Sequence, residues 1–263
     1  MLIRALTRSA ALALAILLPG QGFAAPVDAT ASYAVTLSGV NIATVAIDLK
    51  DDGARYSVDV DGNVSGLGQL VASGTAEITA AGSSRGQKLA ADSFGLTTRT
   101  KAESFSVSVG YAGGDVSTFK IDPPLASDYG RVPIERAHLR GVSDAISSFI
   151  IKGKQLDRSI CEQKLKIFTG VERFDVTMRY AKDEVATSQR TGYQGPVVLC
   201  AVRYEPISGH FTTSEITSYL ANSDRILIWY APLSATGYFV PYRVLMSTSA
   251  GDLSMVLTRI ETR

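Results

Sequence analysis

Few residues in this sequence have the types and the spacing that catalysis or metal binding requires. The chain has two histidines, His138 and His210, and neither stands at a metal-ligand spacing from another histidine, a cysteine or a carboxylate cluster. His210 follows Ser208-Gly209, a pair typical of a turn, so we expect its ring to bond to nearby backbone. A hydrolase would need one of these histidines to meet a serine or a carboxylate in a cleft, and it is the weakest of our hypotheses.

Two short motifs have partial matches to known catalytic and phosphate-binding loops. Residues 82–86 have the pattern of a nucleophile elbow, Gly-Ser-Ser-Arg-Gly, which needs a strand before the serine and a helix after it. Here a second strand-like segment follows, so a hairpin loop is favoured. Residues 66–68 read Gly-Leu-Gly, but Val71 stands where a phosphate-binding loop needs a third glycine. The sequence therefore predicts a protein that is not an enzyme and has no cofactor or metal.

The two cysteines, Cys161 and Cys200, are the remaining candidates for chemistry. They are far apart in the sequence and neither lies in a Cys-x-x-Cys motif, which argues against a redox or nucleophilic thiol. Two cysteines in an exported chain usually pair. A structural disulfide between Cys161 and Cys200 is therefore the favoured interpretation.

Residues 1–24 have the three parts of a signal peptide. Arg4 and Arg8 precede an uncharged apolar run over residues 10–18, and Ala24 ends a segment of small residues suited to cleavage. A membrane-spanning helix, the alternative, needs roughly 20 apolar residues, and this run is about half as long. We expect cleavage after Ala24, which leaves residues 25–263 as a single β-rich domain without a transmembrane segment.

The charge of the chain gives no case for nucleic acid as a partner. The formal net charge is +1, and loss of Arg4 and Arg8 would bring it to about −1. No block of lysine and arginine is present, so neither nucleic acid nor an anionic membrane surface is an expected partner.

The elements that would position any site are mostly short strands. Apolar residues alternate with polar ones in segments near ten residues apart, with Gly, Asp and Asn between them, as in Tyr56, Val58 and Val60 before the turn at residues 61–63. This pattern is typical of an antiparallel sandwich or barrel. Lys182-Asp183-Glu184 is interpreted as a solvated turn between strands.

Two segments have helical features. Val142, Ala145, Ile146, Phe149 and Ile150 recur at helical spacing, which predicts a short helix over one end or face of the sheet. A second segment, residues 212–220, is interpreted as a short helix or an irregular crossing. The predicted fold is mainly β: a curved antiparallel sheet or half-open β-barrel with one or two short helices.

Aromatic side chains are concentrated near the C-terminus, at Trp229, Tyr230, Tyr238, Phe239 and Tyr242. They could line a pocket or the mouth of a barrel where apolar ligands enter. Ordinary packing in the core and between strands is the favoured alternative.

Three groups of residues resemble a known family. They are Asp144, Ala145, Ser147, Ser148, Phe149, Cys161, residues 165–170, Arg173, Phe174 and Tyr180; then residues 193–196, Cys200 and residues 203–210; then Ile228, Trp229 and residues 240–244. Together they resemble the exported proteobacterial family named domain of unknown function three-one-zero-eight, over roughly residues 33–258. The resemblance implies a periplasmic all-β protein from a Gram-negative bacterium, and it implies no activity. A looser similarity of architecture links such proteins to half-open barrels that carry lipids or lipoproteins, by analogy of fold alone.

Two functional hypotheses remain. The first is a periplasmic protein that binds a lipid, an acyl chain or another hydrophobic ligand through Trp229, Tyr230 and Tyr242. Arg203, Tyr204 and His210 are candidates for a functional surface, because polar residues beside a buried strand and a turn need a reason, although a structural turn would supply one. The second is a structural or interaction protein that maintains the cell envelope through a protein partner.

Overall fold

The computed structural model describes residues 26–66, 73–127 and 129–263. Within these ranges the chain forms fourteen strands, β1 to β14, and one α-helix, α1. The strands, in chain order, are Val27–Leu37, Val40–Asp51, Arg55–Val64, Thr75–Arg85, Lys88–Arg99, Ser104–Ala112, Asp115–Asp122, Ile151–Lys152, Lys164–Phe168, Arg173–Ala186, Gly195–Ser208, Ile226–Pro232, Tyr238–Thr248 and Gly251–Thr262. The helix α1 is Glu215–Asn222. The predicted signal peptide, residues 1–24, lies outside the described residues.

The strands form one large antiparallel sheet that does not close into a barrel. Its order is β7-β6-β5-β4-β3-β2-β1-β14-β13-β12-β11-β10-β9, and the two-residue strand β8 pairs with β13 beside this path. The first strand, β1, is hydrogen-bonded to the last, β14, in the middle of the sheet. The ladder therefore ends at β7 on one side and at β9 on the other. The predicted mainly β, antiparallel and incompletely closed architecture is confirmed.

Local sequence explains why the first hairpins form. Between β2 and β3, Gly53 adopts a φ of +90°, which favours glycine. Asp52 Oδ1 accepts hydrogen bonds from the backbone N–H groups of Ala54 and Arg55, at 2.8 and 2.7 Å. Turn-forming residues thus mark this hairpin correctly. The turn expected at residues 61–63 is wrong, because these residues pair with both neighbouring strands inside β3.

Residues 142–150, here called the bridging segment, span the gap between the two edges of the sheet. The backbone N–H of Val142 donates to the carbonyl of Gly114, in the turn between β6 and β7, at 2.7 Å. Ser143 donates to Lys166 at 2.9 Å and accepts from Phe168 at 3.0 Å, and both of these residues lie in β9. The segment therefore connects the two ends of the ladder without completing it.

The prediction of a helix over Val142, Ala145, Ile146, Phe149 and Ile150 is wrong. The only helical geometry in this segment is a short 3-10 turn, Ser147–Phe149. Val142 and Ser143 cannot be helical because the backbone of Val142 bonds to the β6–β7 turn and that of Ser143 bonds to β9. The apolar side chains of the pattern are nevertheless buried or half-buried, so the pattern predicted burial correctly and the element wrongly.

Three further expectations meet the structure differently. The segment 212–220, interpreted as a short helix or an irregular crossing, overlaps the helix α1, which begins after its N-cap, Ser214, and extends to Asn222. The turn expected at Lys182-Asp183-Glu184 is instead part of the long strand β10. The Gly-Ser-Ser-Arg-Gly motif, expected to be a hairpin loop, forms the end of β4 through Arg85, and only Gly86 lies in the turn to β5. None of the helices in the described ranges is long and apolar enough to cross a membrane.

Candidate ligand-binding site

An apolar cavity of about 400 Å³ lies on one face of the sheet. On β1 and β2 its wall is formed by Ala29, Ala31, Tyr33, Ile47 and Leu49. The residues taken from each strand are two positions apart, because side chains two apart on a strand point to the same face. The small side chains of Ala29 and Ala31 leave space that larger residues would fill.

The opposite wall comes from the C-terminal half of the sheet. Strands β10 to β14 each contribute apolar or aromatic side chains to it. These are Phe174, Val176, Val202, Tyr204, Ile226, Ile228, Val240, Pro241, Val244, Met246 and Met255. The cavity therefore lies where the pairing of β1 with β14 brings the two ends of the chain together.

The bridging segment forms a third side of the cavity, through Ala145, Ile146, Phe149 and Ile150. Asp144 organises this segment, since its Oδ1 accepts hydrogen bonds from the backbone N–H groups of Ile146 and Ser147 at 2.8 and 2.7 Å.

The Asp144 carboxylate is buried and lies in a chain of side-chain hydrogen bonds. The Ser147 hydroxyl donates to Asp144 Oδ2, and the Tyr56 hydroxyl donates to Ser147 Oγ at 3.0 Å. Burial raises the pKa of Asp144 above its usual value, although these hydrogen bonds oppose that effect.

A buried polar cluster fastens β8, which follows the bridging segment, to the sheet. Lys152 Nζ lies 3.1 Å from Asp51 Oδ2 and 2.7 Å from Ser84 Oγ. Ser84 Oγ donates to Asp51 Oδ2 at 2.6 Å, and the Tyr238 hydroxyl donates to the same oxygen. The cluster joins β2, β4, β8 and β13, so it holds the bridging segment against the sheet.

Helix α1 adds a single side chain to the cavity wall, Leu220. Its N-terminus is capped by Ser214, whose Oγ accepts a hydrogen bond from the backbone N–H of Thr217 at 3.2 Å. Ile216 and Tyr219, on the same helix, are exposed. The helix is thus a small element at the boundary between the cavity and solvent.

Cys161 and Cys200 form the disulfide that the sequence predicts. It links β11 to the 3-10 turn Arg158–Cys161. Both cysteines belong to a buried apolar cluster that also contains Val176, Val202 and Ile228, which line the cavity. The disulfide therefore reinforces the wall of the site.

Of the six candidate binding residues from the sequence, Tyr204 lines the cavity. Tyr230 is fully buried, and its hydroxyl contacts Met178 Sδ at 3.7 Å. Trp229 follows the cavity residue Ile228 and so points to the other face of β12. Its indole N–H donates to Glu184 Oε2 at 2.7 Å.

The other three candidates lie elsewhere. Tyr242 belongs with Trp229 to an apolar cluster that also contains the cavity residues Ala31 and Tyr33, but Tyr242 does not line the cavity itself. Its hydroxyl donates to Thr191 Oγ1 at 3.1 Å. Arg203 is exposed on β11. His210 is half-buried in the turn after β11, where its carbonyl accepts a hydrogen bond from Val132 N–H at 3.0 Å. Its ring Nδ1 is buried without a hydrogen-bond partner among the described residues, so this atom does not make the expected bond to backbone. The expected aromatic cluster is therefore divided between different parts of the core.

Sequence reasoning did not select the alanines or Tyr33 as site residues. The signal available for them was the run Ala29-Thr30-Ala31 leading into the alternation that begins at Tyr33, since small residues on one face of a strand leave room beside it. Within the described residues, no group of three His, Cys, Asp or Glu side chains is placed to hold a metal ion.

The comparisons with known proteins concern family and fold. Residues 32–258 match the family model described as Protein of unknown function (DUF3108). The chain belongs to this family. No curated protein matches the sequence.

The fold is similar to that of a solved structure. It is the crystal structure of a β-barrel-like protein of the domain-of-unknown-function family DUF1849 from Brucella abortus. The TM-score is 0.51 at 11% sequence identity, and the match covers 90% of this chain and 98% of that one. At this identity the similarity shows the fold alone.

Proposed function

We propose that this protein is a non-enzymatic periplasmic protein that binds a hydrophobic ligand, such as a lipid or an acyl chain, in the cavity between β1, β2 and β10 to β14. The observation that carries the proposal is the composition of the wall. None of its residues is charged, and Tyr33 and Tyr204 are the two whose side chains carry a hydroxyl. A concave, mostly apolar site with few polar groups is typical of small-molecule binding.

The volume of the cavity suits one acyl chain. A methylene group occupies about the volume of a water molecule, roughly 30 Å³, so 400 Å³ holds on the order of a dozen carbons. Each buried methylene is worth about 0.8 kcal/mol before the costs of association. A chain of this length would therefore bind usefully without any charged anchor.

The proposal can be tested by filling the cavity. Ala145 lines it, and Ala145→Trp would place an indole in the space that a ligand needs. Ala181 is exposed on β10 and outside the cavity, so Ala181→Trp is a matched control. Binding of the neutral fluorophore N-phenyl-1-naphthylamine should weaken at least tenfold in the first variant and stay unchanged in the second. Equal binding by both folded variants would contradict the proposal.

A structural or interaction protein of the cell envelope is the second candidate. Three apolar side chains on or near α1 are exposed, Phe211, Ile216 and Tyr219, with 41%, 68% and 41% of their surface accessible. Exposed apolar groups of this kind favour contact with a protein partner. Ile216→Glu would weaken such a contact in envelope crosslinking, whereas it should leave fluorophore binding in the cavity intact.

A further inference from the structure

Tyr33 occupies a distinctive place in the cavity wall. It lies on β1, where it pairs with Leu257 of β14 and with Val45 of β2. Its side chain is 2% exposed, and it is one of the residues that line the cavity. This is a central position in the sheet, at the junction between the two halves of the chain.

The Tyr33 hydroxyl has no hydrogen-bond partner among the described residues. The other buried tyrosines do have partners, at Ser147, Phe168, Met178, Asp51 and Thr191 for Tyr56, Tyr111, Tyr230, Tyr238 and Tyr242 respectively. A buried tyrosine hydroxyl usually finds a partner, because leaving it unpaired costs free energy.

The cavity is the open space that Tyr33 lines. Some buried polar atoms are fully enclosed and have no partner. The Tyr33 hydroxyl is not one of them, so it keeps some accessible surface. The residue is otherwise buried, and the cavity is the space that it lines. A ligand in the cavity is thus the natural source of the missing partner.

The rest of the wall limits the charge of that partner. Because no lysine, arginine or histidine lines the cavity, a carboxylate or phosphate inside it would be buried without a counter-charge. Burial also raises the pKa of Tyr33, so its hydroxyl stays protonated and able to donate. The site therefore suits an uncharged acceptor.

We propose that the ligand carries an uncharged hydrogen-bond acceptor, such as the carbonyl of an acyl ester, and that the Tyr33 hydroxyl donates to it inside the cavity. The inference rests on the proposed function and specifies its ligand class. Apolar contact along the cavity supplies most of the affinity, and Tyr33 distinguishes an acyl ester from a plain hydrocarbon of similar length. The absence of a cationic side chain from the wall disfavours a free fatty acid anion.

The test is displacement of N-phenyl-1-naphthylamine by three probes at pH 8: methyl dodecanoate, tetradecane and sodium dodecanoate. The wild-type protein should bind methyl dodecanoate most tightly of the three. Tyr33→Phe should weaken methyl dodecanoate about fivefold to tenfold, as expected for one lost hydrogen bond, and leave tetradecane unchanged. Tyr242→Phe is the matched control, because that buried tyrosine has its partner outside the cavity.

A second readout separates this role from a structural one. Removing an unpartnered hydroxyl should not destabilise the ligand-free protein, so Tyr33→Phe should keep or raise the urea midpoint. A marked loss of stability in Tyr33→Phe would overturn the assignment.

The ligand measurements can also fail in distinguishable ways. If Tyr33→Phe weakens the ester and the hydrocarbon equally, the assignment to Tyr33 is overturned while the cavity remains a ligand site. If dodecanoate binds as tightly as the ester, the inferred uncharged acceptor is overturned. If the wild-type protein binds neither the fluorophore nor any probe, the proposed function fails and this inference fails with it.

Discussion

Lys152 Nζ lies 3.1 Å from Asp51 Oδ2, and solvent reaches only 10% of the lysine side chain and 3% of the aspartate side chain. The ion pair joins β8 to the end of β2, and Ser84 and Tyr238 add hydrogen bonds to the same carboxylate oxygen. It therefore closes the N-terminal half of the sheet onto the bridging segment that forms one side of the cavity.

We expect Lys152→Met to destabilise the protein strongly. The change leaves the Asp51 carboxylate buried without its counter-charge, which typically costs on the order of 3 kcal/mol or more. Urea unfolding followed by circular dichroism would measure the loss in the free energy of unfolding. Lys120→Met is the control, since its partner Asp122 is exposed with it, and it should change stability little. Equal effects for the two variants would show that the buried pair is unimportant.

Acid should weaken the protein through Asp51. Burial tends to raise the pKa of this carboxyl, but hydrogen bonds from Ser84, Tyr238, Gly53 and Lys152 together hold it below its usual value. The stabilisation is thus complete above the ordinary carboxyl pKa of about 4 and is lost as the pH falls through the lower pKa of the folded state. In urea unfolding series below pH 5, Asp51→Asn should be less stable at pH 5 and should lose less stability on acidification than the wild-type protein.

Asp144 should have the opposite pH dependence. Burial raises the pKa of Asp144 in the folded protein. The contribution of Asp144 to the free energy of unfolding is therefore complete below about pH 4, and it is lost as the pH rises through the raised pKa. Asp144→Asn keeps the Oδ1 acceptor for Ile146 and Ser147 and removes the charge. Its stability should therefore change less between pH 4 and 7 than that of the wild-type protein, and an unchanged slope would contradict this assignment.

Loss of the Cys161–Cys200 disulfide should lower stability by about 4 kcal/mol, from the loop entropy that a crosslink spanning 39 residues removes from the unfolded chain. The double variant Cys161→Ala with Cys200→Ala can be compared with the oxidised wild-type protein by urea unfolding. Dithiothreitol should lower the midpoint of the wild-type protein and leave that of the double variant unchanged. If dithiothreitol leaves the urea midpoint of the wild-type protein unchanged, the expectation is contradicted.

Trp229 belongs to the aromatic group that the sequence suggested as a ligand site, but it does not line the cavity. Its indole donates to Glu184 on the face away from Ile228, so Trp229→Phe should change fluorophore affinity less than twofold. Glu184→Gln should alter the tryptophan emission without altering binding. A large loss of binding in Trp229→Phe, with the fold intact, would favour the aromatic cluster as the ligand site instead.

Strand periodicity and turn residues were sufficient to predict a mainly β antiparallel fold, because alternation at Tyr56, Val58 and Val60 is a local signal. The disulfide was predictable because the sequence suggested an exported chain with two cysteines, and such cysteines usually pair. The pairing of β1 with β14 was not predictable, since it joins segments more than 200 residues apart, and it decides where the cavity lies.

The bridging segment shows why the site itself was harder to predict. The apolar spacing of Ala145, Ile146 and Phe149 is the same for a helix and for an irregular segment that faces a cavity. The hydrogen bonds of Val142 and Ser143 to distant strands decide between them. Tyr33 was likewise indistinguishable from an ordinary strand residue, because what sets it apart is a missing partner in three dimensions.

The measurement that tests the central claim most directly is native mass spectrometry of the protein purified without detergent, followed by organic extraction. We expect the wild-type protein to carry an added mass that extracts as a neutral acyl lipid, and Ala145→Trp, which fills the cavity, to lack it. Ala181→Trp should retain the mass. An added mass that persists in Ala145→Trp, or a wild-type protein that stays unliganded even after incubation with methyl dodecanoate, would contradict a hydrophobic ligand in this cavity.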